Sequence, residues 1–94
     1  MNMNRLTDRV ENIFLSLGFQ IVLVGTRRLR YMNFENCYCR ITPLEEWNAF
    51  VIESADTLQD AEKQILEDGE LYYLDTSEDE LLRQIETDVK KHYM

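Results

Sequence analysis

The sequence predicts one α+β domain of the two-layer sandwich kind. An antiparallel four-stranded meander, with a short fifth strand as an option, is packed by an N-terminal helix and two C-terminal helices in the order α-β-β-β-β-α-(β)-α. Three observations predict it. Apolar residues recur at helical spacing before residue 18 and again after residue 57. Short apolar or alternating runs, separated by polar turns, fill the stretch between. The whole chain is 94 residues, a length that forms one core and does not split, so residues 1–94 make a single domain. Strands that follow one another through short turns pair antiparallel, and amphipathic helices then cover the sheet.

In the first helix Leu6, Val10, Ile13, Phe14 and Leu17 fall on one face of a 3.6-residue period. Asn4 is placed to cap its start, and Gly18 sits where a left-handed C-terminal residue is wanted. Phe19–Val24 is β-branched and almost wholly apolar, as a buried strand is. Gly25–Arg28 is a polar turn. Leu29–Phe34 alternates, with Leu29 and Tyr31 on one face and Arg30, Met32 and Phe34 on the other. Glu35-Asn36 is the next turn, and Cys37–Thr42 alternates again to place Cys37, Cys39 and Ile41 together before Pro43 ends the strand. Trp47–Ile52 supplies a fourth strand, with Phe50 and Ile52 sharing a face.

After Glu53 the period lengthens. Asp56 or Thr57 caps a helix whose stripe is Leu58, Ala61, Ile65 and Leu66 and whose stop is Gly69. Leu71–Leu74 is the optional short strand. Ser77 and Glu80 form the S-x-x-E capping box of the last helix. Glu78 and Asp79 suit its positive start, and Lys90, Lys91 and His92 suit its negative end. Leu82, Ile85 and Val89 point inward.

Several chemistries lack their parts. The one histidine, His92, lies in the last helical turn, away from any evident nucleophile. Cys37 and Cys39 plus one histidine fall short of a zinc ligand set and read as small apolar residues of a buried face. Gly18, Gly25 and Gly69 form no phosphate-cradling motif. The runs Glu67-Asp68-Gly69-Glu70 and Glu78-Asp79-Glu80 fall at a helix end and a helix start, where carboxylates are solvated and ordinary. The expectation is therefore no enzyme, no catalytic residue, no cofactor and no metal. Two cysteines, no leader-like apolar segment and no run approaching membrane-spanning length point to a soluble protein of a reducing cytoplasm.

Charge is the strongest signal. The net charge is −8 and it is divided: residues 1–43 hold six arginines against three acids, and residues 44–94 hold four basic residues against fifteen acids, or +3 and −11. Such a field disfavours nucleic acid and anionic membranes and favours a basic protein partner. The expected docking face combines Glu67, Asp68, Glu70, Tyr72, Asp75, Glu78 and Asp79. Of Tyr72 and Tyr73 in a strand, one faces the core and the other is exposed. A secondary basic patch, Arg27, Arg28 and Arg30, lies near Tyr31, Phe34 and Tyr38. It could meet an acidic surface, including the C-terminal half of a second copy in a homodimer, or less favourably a nucleic acid. Small acidic α+β domains of this kind occur among immunity proteins and antitoxins that mask a basic toxin and among secretion chaperones. The likeness is one of size and charge, with no shared motif.

Overall fold

The structure is a computed structural model and describes residues 3–94. Helix α1 spans Met3–Ser16 and is followed by β1 (Gln20–Val24), β2 (Leu29–Phe34), β3 (Cys37–Leu44), a 3-10 turn (Glu45–Trp47), β4 (Ala49–Ala55), α2 (Leu58–Lys63), β5 (Glu67–Tyr73) and α3 (Glu78–His92). The strands form one antiparallel sheet in the order β1-β2-β3-β4-β5, so the meander has five strands and its edges are β1 and β5.

The first helix ends as its sequence requires. Gly18 adopts φ +102°, the Phe19 N–H donates to the Phe14 carbonyl and the Gly18 N–H donates to the Leu15 carbonyl. This is a Schellman end, and its apolar contact is the edge-to-face pair of Phe14 and Phe19, with ring centroids 4.9 Å apart. Asn4 lies inside the helix and does not precede it, because helical backbone already includes Met3.

Alternation along each strand divides the side chains between two faces. On one face Ile21, Met32, Phe34, Cys37, Cys39, Ile41, Phe50, Ile52 and Tyr72 meet Leu6, Val10 and Phe14 of α1 and Leu81, Ile85 and Val89 of α3. This is the main core. The reverse face carries a smaller cluster in which Val22, Val24, Leu29, Tyr31, Tyr38 and Ala55 pack with Ala61 of α2. Helix α2 thus lies opposite α1 and α3 and does not share their layer. Its hold is slight, since Ala61 is its one buried residue, whereas each large side chain buried under α1 and α3 contributes about 1.5–3 kcal/mol. The buried Tyr31 hydroxyl donates to the Ala61 carbonyl at 2.8 Å and anchors α2 to the sheet.

Three boundaries differ from the sequence reading, each for a local reason. The fourth strand starts at Ala49 because Glu45–Trp47 closes a 3-10 turn and Asn48 turns left-handed at φ 48°. The third strand runs through Pro43 to Leu44. Its ladder with β2 ends at Cys39, so residues 40–44 have a free side where a proline is tolerated. Helix α2 stops at Lys63 because Gln64, not Gly69, takes the left-handed position, and Ile65 is exposed. Thr57 does cap α2, accepting from the Asp60 N–H, and Ser77 caps α3, accepting from the Glu80 N–H.

The released residues lengthen the last strand, so Gly69 is a strand residue. Val51 pairs with Leu71 and Glu53 with Asp68, two steps on β4 against three on β5, which is a bulge at Gly69–Glu70 opposite Ile52. A Cβ at position 69 would overlap the Tyr93 hydroxyl and come within 2.6 Å of the Ile52 carbonyl oxygen. Gly69→Ala should therefore destabilise by about 2–3 kcal/mol in urea unfolding. The loss should persist when Tyr93 is also truncated, because the Ile52 backbone cannot yield; a loss under about 0.5 kcal/mol would contradict this packing.

A candidate interaction surface along the β5 edge

The bulge sets where the predicted docking residues point. Ser54 lies opposite Glu67 and Glu53 opposite Asp68, so Glu67 shares the face of α1 and α3 and Asp68 the face of α2. Past the bulge Tyr72 faces the main core, stacks on Phe50 at 5.2 Å and is 3% exposed, while its hydroxyl donates to Asp88 at 2.8 Å. Tyr72 is thus a core residue and not an anchor for a partner. Its neighbour Tyr73, 47% exposed, takes that place. Glu67, Asp68, Glu70 and Asp75 are exposed along or just beyond the edge strand. Glu78 and Asp79 part from them. Glu78 bonds Arg9 at 2.6 Å, and Asp79 lines a cleft between α1 and α3 with Arg9, Arg83 and Glu86. The seven residues do not make one face, because β5 and α3 run in opposite directions and the α3 start is turned toward α1.

Internal ion pairs sharpen the division. Arg30 binds Glu11 through both guanidinium contacts, at 2.6 and 3.2 Å, and this pairing raises the Arg30 pKa. Arg40 joins Glu53 at 3.2 Å and Gln64 at 3.1 Å, and Thr42 also donates to Glu53. Lys90 pairs with Glu86 one helical turn away. The predicted basic patch is therefore split: Arg30 turns to the helical layer, and Arg27 and Arg28 stand exposed on the β1–β2 turn. The aromatics beside them do not form a stacking platform, since Tyr31 is buried and Phe34 and Tyr38 are packed against the two cores. Among the described residues, none of Asp56, Glu67, Asp68, Glu70 and Asp75 makes an ion pair.

Four of those carboxylates converge. A cleft of about 590 Å³ between the start of β5 and the end of α3 is lined by Asp56, Glu67, Asp68 and Glu70, with Cys37, Ser54, Gly69, His92, Tyr93 and Met94 completing it. Tyr93 lies half-buried there. Burial, with neighbouring Cys39, Cys37, Glu70 and Asp88 opposing a second negative charge, pushes its pKa up to about 12. Cys37 and Cys39 project together from β3 with sulfurs 3.5 Å apart. Their hydrogen bond lowers the pKa of the half-buried Cys37 and, with burial, raises that of Cys39. Among the described residues no three of His, Cys, Asp and Glu come together in a metal-ligating arrangement.

The other end of the edge holds what the sequence reading missed. Trp47 is 63% exposed in the 3-10 turn, beside Glu45 and Glu46. The Leu74 N–H donates to the Asn48 carbonyl at 2.9 Å, and Tyr73 lies opposite Ala49, so this turn sits next to Tyr73 and Asp75. The run Glu45-Glu46-Trp47-Asn48 carried a signal, since two acids and an asparagine beside a tryptophan suit a turn better than the start of a strand.

Two outcomes follow from these environments. Iodoacetamide at neutral pH should modify Cys37 at least about tenfold faster than the enclosed Cys39, read from the fragment ions of the tryptic peptide 31–40 that carries both; equal rates would contradict the arrangement. Burial also raises the pKa of Tyr72, which donates to Asp88, and of Tyr31. Folded phenols that hold protons more tightly than unfolded ones stabilise fully below pH 10, and the benefit is lost above it. In urea unfolding, stability should fall between pH 10 and 12 by about 1.4 kcal/mol per pH unit for Tyr72, with Tyr31 adding to the fall in the same direction. The chain was also compared with models of known families, with characterised proteins and with solved structures, and none of the three comparisons returned a match.

Proposed function

We propose that this chain is a non-enzymatic binding domain that docks on a basic protein through its β5 edge. The observation that carries the reading is the unpaired state of Asp56, Glu67, Asp68, Glu70 and Asp75 among the described residues, while Arg9, Arg30, Arg40 and Lys90 are bonded elsewhere. Uncompensated carboxylates on one edge project a field outward, where a paired set would cancel it. Tyr73 and Trp47 supply the second requirement of an interface, rigid aromatic area at the end of the same edge. Arginine and lysine of a partner would satisfy the acids and stack on the rings.

Masking a basic toxin, as immunity proteins and antitoxins do, or holding a basic secreted protein fits a domain of this size and charge. A reducing cytoplasm fits two free cysteines, Cys37 and Cys39. No helix among the described residues is long and apolar enough to cross a membrane.

The charges and the rings should divide the kinetics of binding. With the basic partner isolated from the native cell at low salt, Glu67→Lys, Asp68→Lys and Glu70→Lys together should slow association about tenfold or more in stopped flow. The wild-type rate should itself fall steeply between 50 and 300 mM salt, roughly the range over which screening shortens below 10 Å. Trp47→Ala should leave association nearly unchanged and speed dissociation. An association rate indifferent both to salt and to the triple reversal would overturn the reading.

A further inference from the structure

Cys37 and Cys39 are the two thiols of the chain, and the fold gives them unlike surroundings. They project from β3 on one face with their sulfurs 3.5 Å apart. Cys37 is half-buried and lines the cleft between β5 and α3. Cys39 is fully enclosed in the main core. Their hydrogen bond favours the thiolate on Cys37 and keeps the proton on Cys39. An accessible thiolate backed by an enclosed second thiol is the arrangement of a cysteine that is first oxidised and then resolved.

We propose that Cys37 and Cys39 form a peroxide-reactive dithiol, in which hydrogen peroxide oxidises Cys37 and Cys39 closes the disulfide. The choice of oxidant comes from the cleft. Asp56, Glu67, Asp68 and Glu70 line the approach to Cys37 against one basic side chain, His92. Among the described residues none of the four makes an ion pair. An anionic oxidant such as glutathione disulfide is repelled there, whereas a small neutral peroxide is not. In the first step the Cys37 thiolate, its proton already released to solvent, attacks one peroxide oxygen. The S–O bond forms as the O–O bond breaks, and the departing hydroxide takes a proton from solvent, leaving Cys37 as a sulfenic acid. In the second step the Cys39 sulfur attacks the Cys37 sulfur. The S–S bond forms, the S–O bond breaks, and the hydroxyl leaves with the Cys39 proton as water. Two thiols lose two electrons and two protons, and one peroxide becomes two waters. The hydrogen bond that kept the proton on Cys39 ends with the Cys37 thiolate, so it does not hold back the second step.

The backbone permits the closure. Cys37 pairs with Phe34 of β2, whereas pairing with β4 starts only at Tyr38, so Cys37 sits at the strand end beside the turn at Glu35 and Asn36. Residues two apart on a strand have Cα atoms about 6.4–6.8 Å apart, the upper end of what a disulfide spans. From 3.5 Å the sulfurs must close by about 1.5 Å, a movement open to the less constrained Cys37. A bridge at that limit returns readily to thiols. This chemistry does not rest on the docking role of the β5 edge.

The test treats the reduced chain with hydrogen peroxide at about tenfold excess, quenches with iodoacetamide and reads the tryptic peptide 31–40 by mass spectrometry. The expected product is an unalkylated peptide lighter by about 2 Da, which dithiothreitol restores to two alkylated cysteines. Cys39→Ala should stop at the Cys37 sulfenic acid, trapped by dimedone and placed by fragment ions. Cys37→Ser should leave Cys39 a free thiol under the same treatment. Raising salt from about 50 to 500 mM should speed oxidation by glutathione disulfide several-fold and leave the peroxide rate within about twofold. The wild-type product is informative whether or not either variant folds. Accumulation of sulfenic or sulfinic acid in the wild-type chain, or a disulfide between chains in place of the internal one, overturns the proposal. So does a Cys37→Ser chain whose Cys39 is oxidised as fast as the wild-type pair, and a glutathione disulfide rate indifferent to salt.

Discussion

The close seating of α3 over the start of β5 is the contact on which the rest depends. Tyr93 lies where a side chain at residue 69 would have been, and the Ile52 carbonyl closes the same space from β4. One turn back along α3, Asp88 accepts from the Tyr72 hydroxyl. β5 is held in the sheet by its ladder with β4; these two contacts seat α3 against it, bring the C-terminal turn of α3 over Cys37 and Cys39, and crowd the bulge that decides which way each β5 side chain points. Without the extra residue at the bulge, Glu70 and Tyr72 would follow plain alternation from Asp68, and the pattern of core and rim along this strand would be reversed.

The charge economy of the molecule follows from that frame. Arginines from the first half of the chain are joined to carboxylates across elements: Arg9 to the start of α3, Arg30 to α1 and Arg40 to β4. Each such pair is partly exposed and worth no more than about 1 kcal/mol. Their larger effect is that, among the described residues, the acids Glu67, Asp68, Glu70 and Asp75 of the β5 edge are left without an ion pair. A chain with +3 in its first half and −11 in its second could have cancelled itself in three dimensions. Among the described residues it cancels between α1 and α3, between α1 and β2, within α3 and at the centre of the reverse face.

Open edges divide the labour further. One edge is acidic, bulged and rimmed with exposed aromatic rings, and the other is uncharged and regular. A strand edge that is neither charged nor broken is normally a hazard of aggregation, whereas the acids and the bulge of β5 guard the opposite edge against strand pairing.

Much of this was legible in the sequence, for a physical reason. Helical and strand periods, the caps at Thr57 and Ser77 and the left-handed Gly18 are local requirements met by neighbouring residues, and they determined the element order and most inward-facing side chains by themselves. The net charge and its division between the halves are likewise properties of composition. What only the tertiary structure decided is everything that depends on residues distant in sequence. Gly69 read as a helix stop because nothing nearby reveals that Tyr93 and Ile52 crowd it. Glu78 and Asp79 read as companions of Glu70 because chain order hides the reversal of direction between β5 and α3. Tyr72 and Tyr73 could be told apart as one buried and one exposed, but which was which rested on the phase of the β4–β5 pairing, and that phase is set by a bulge no local pattern announces.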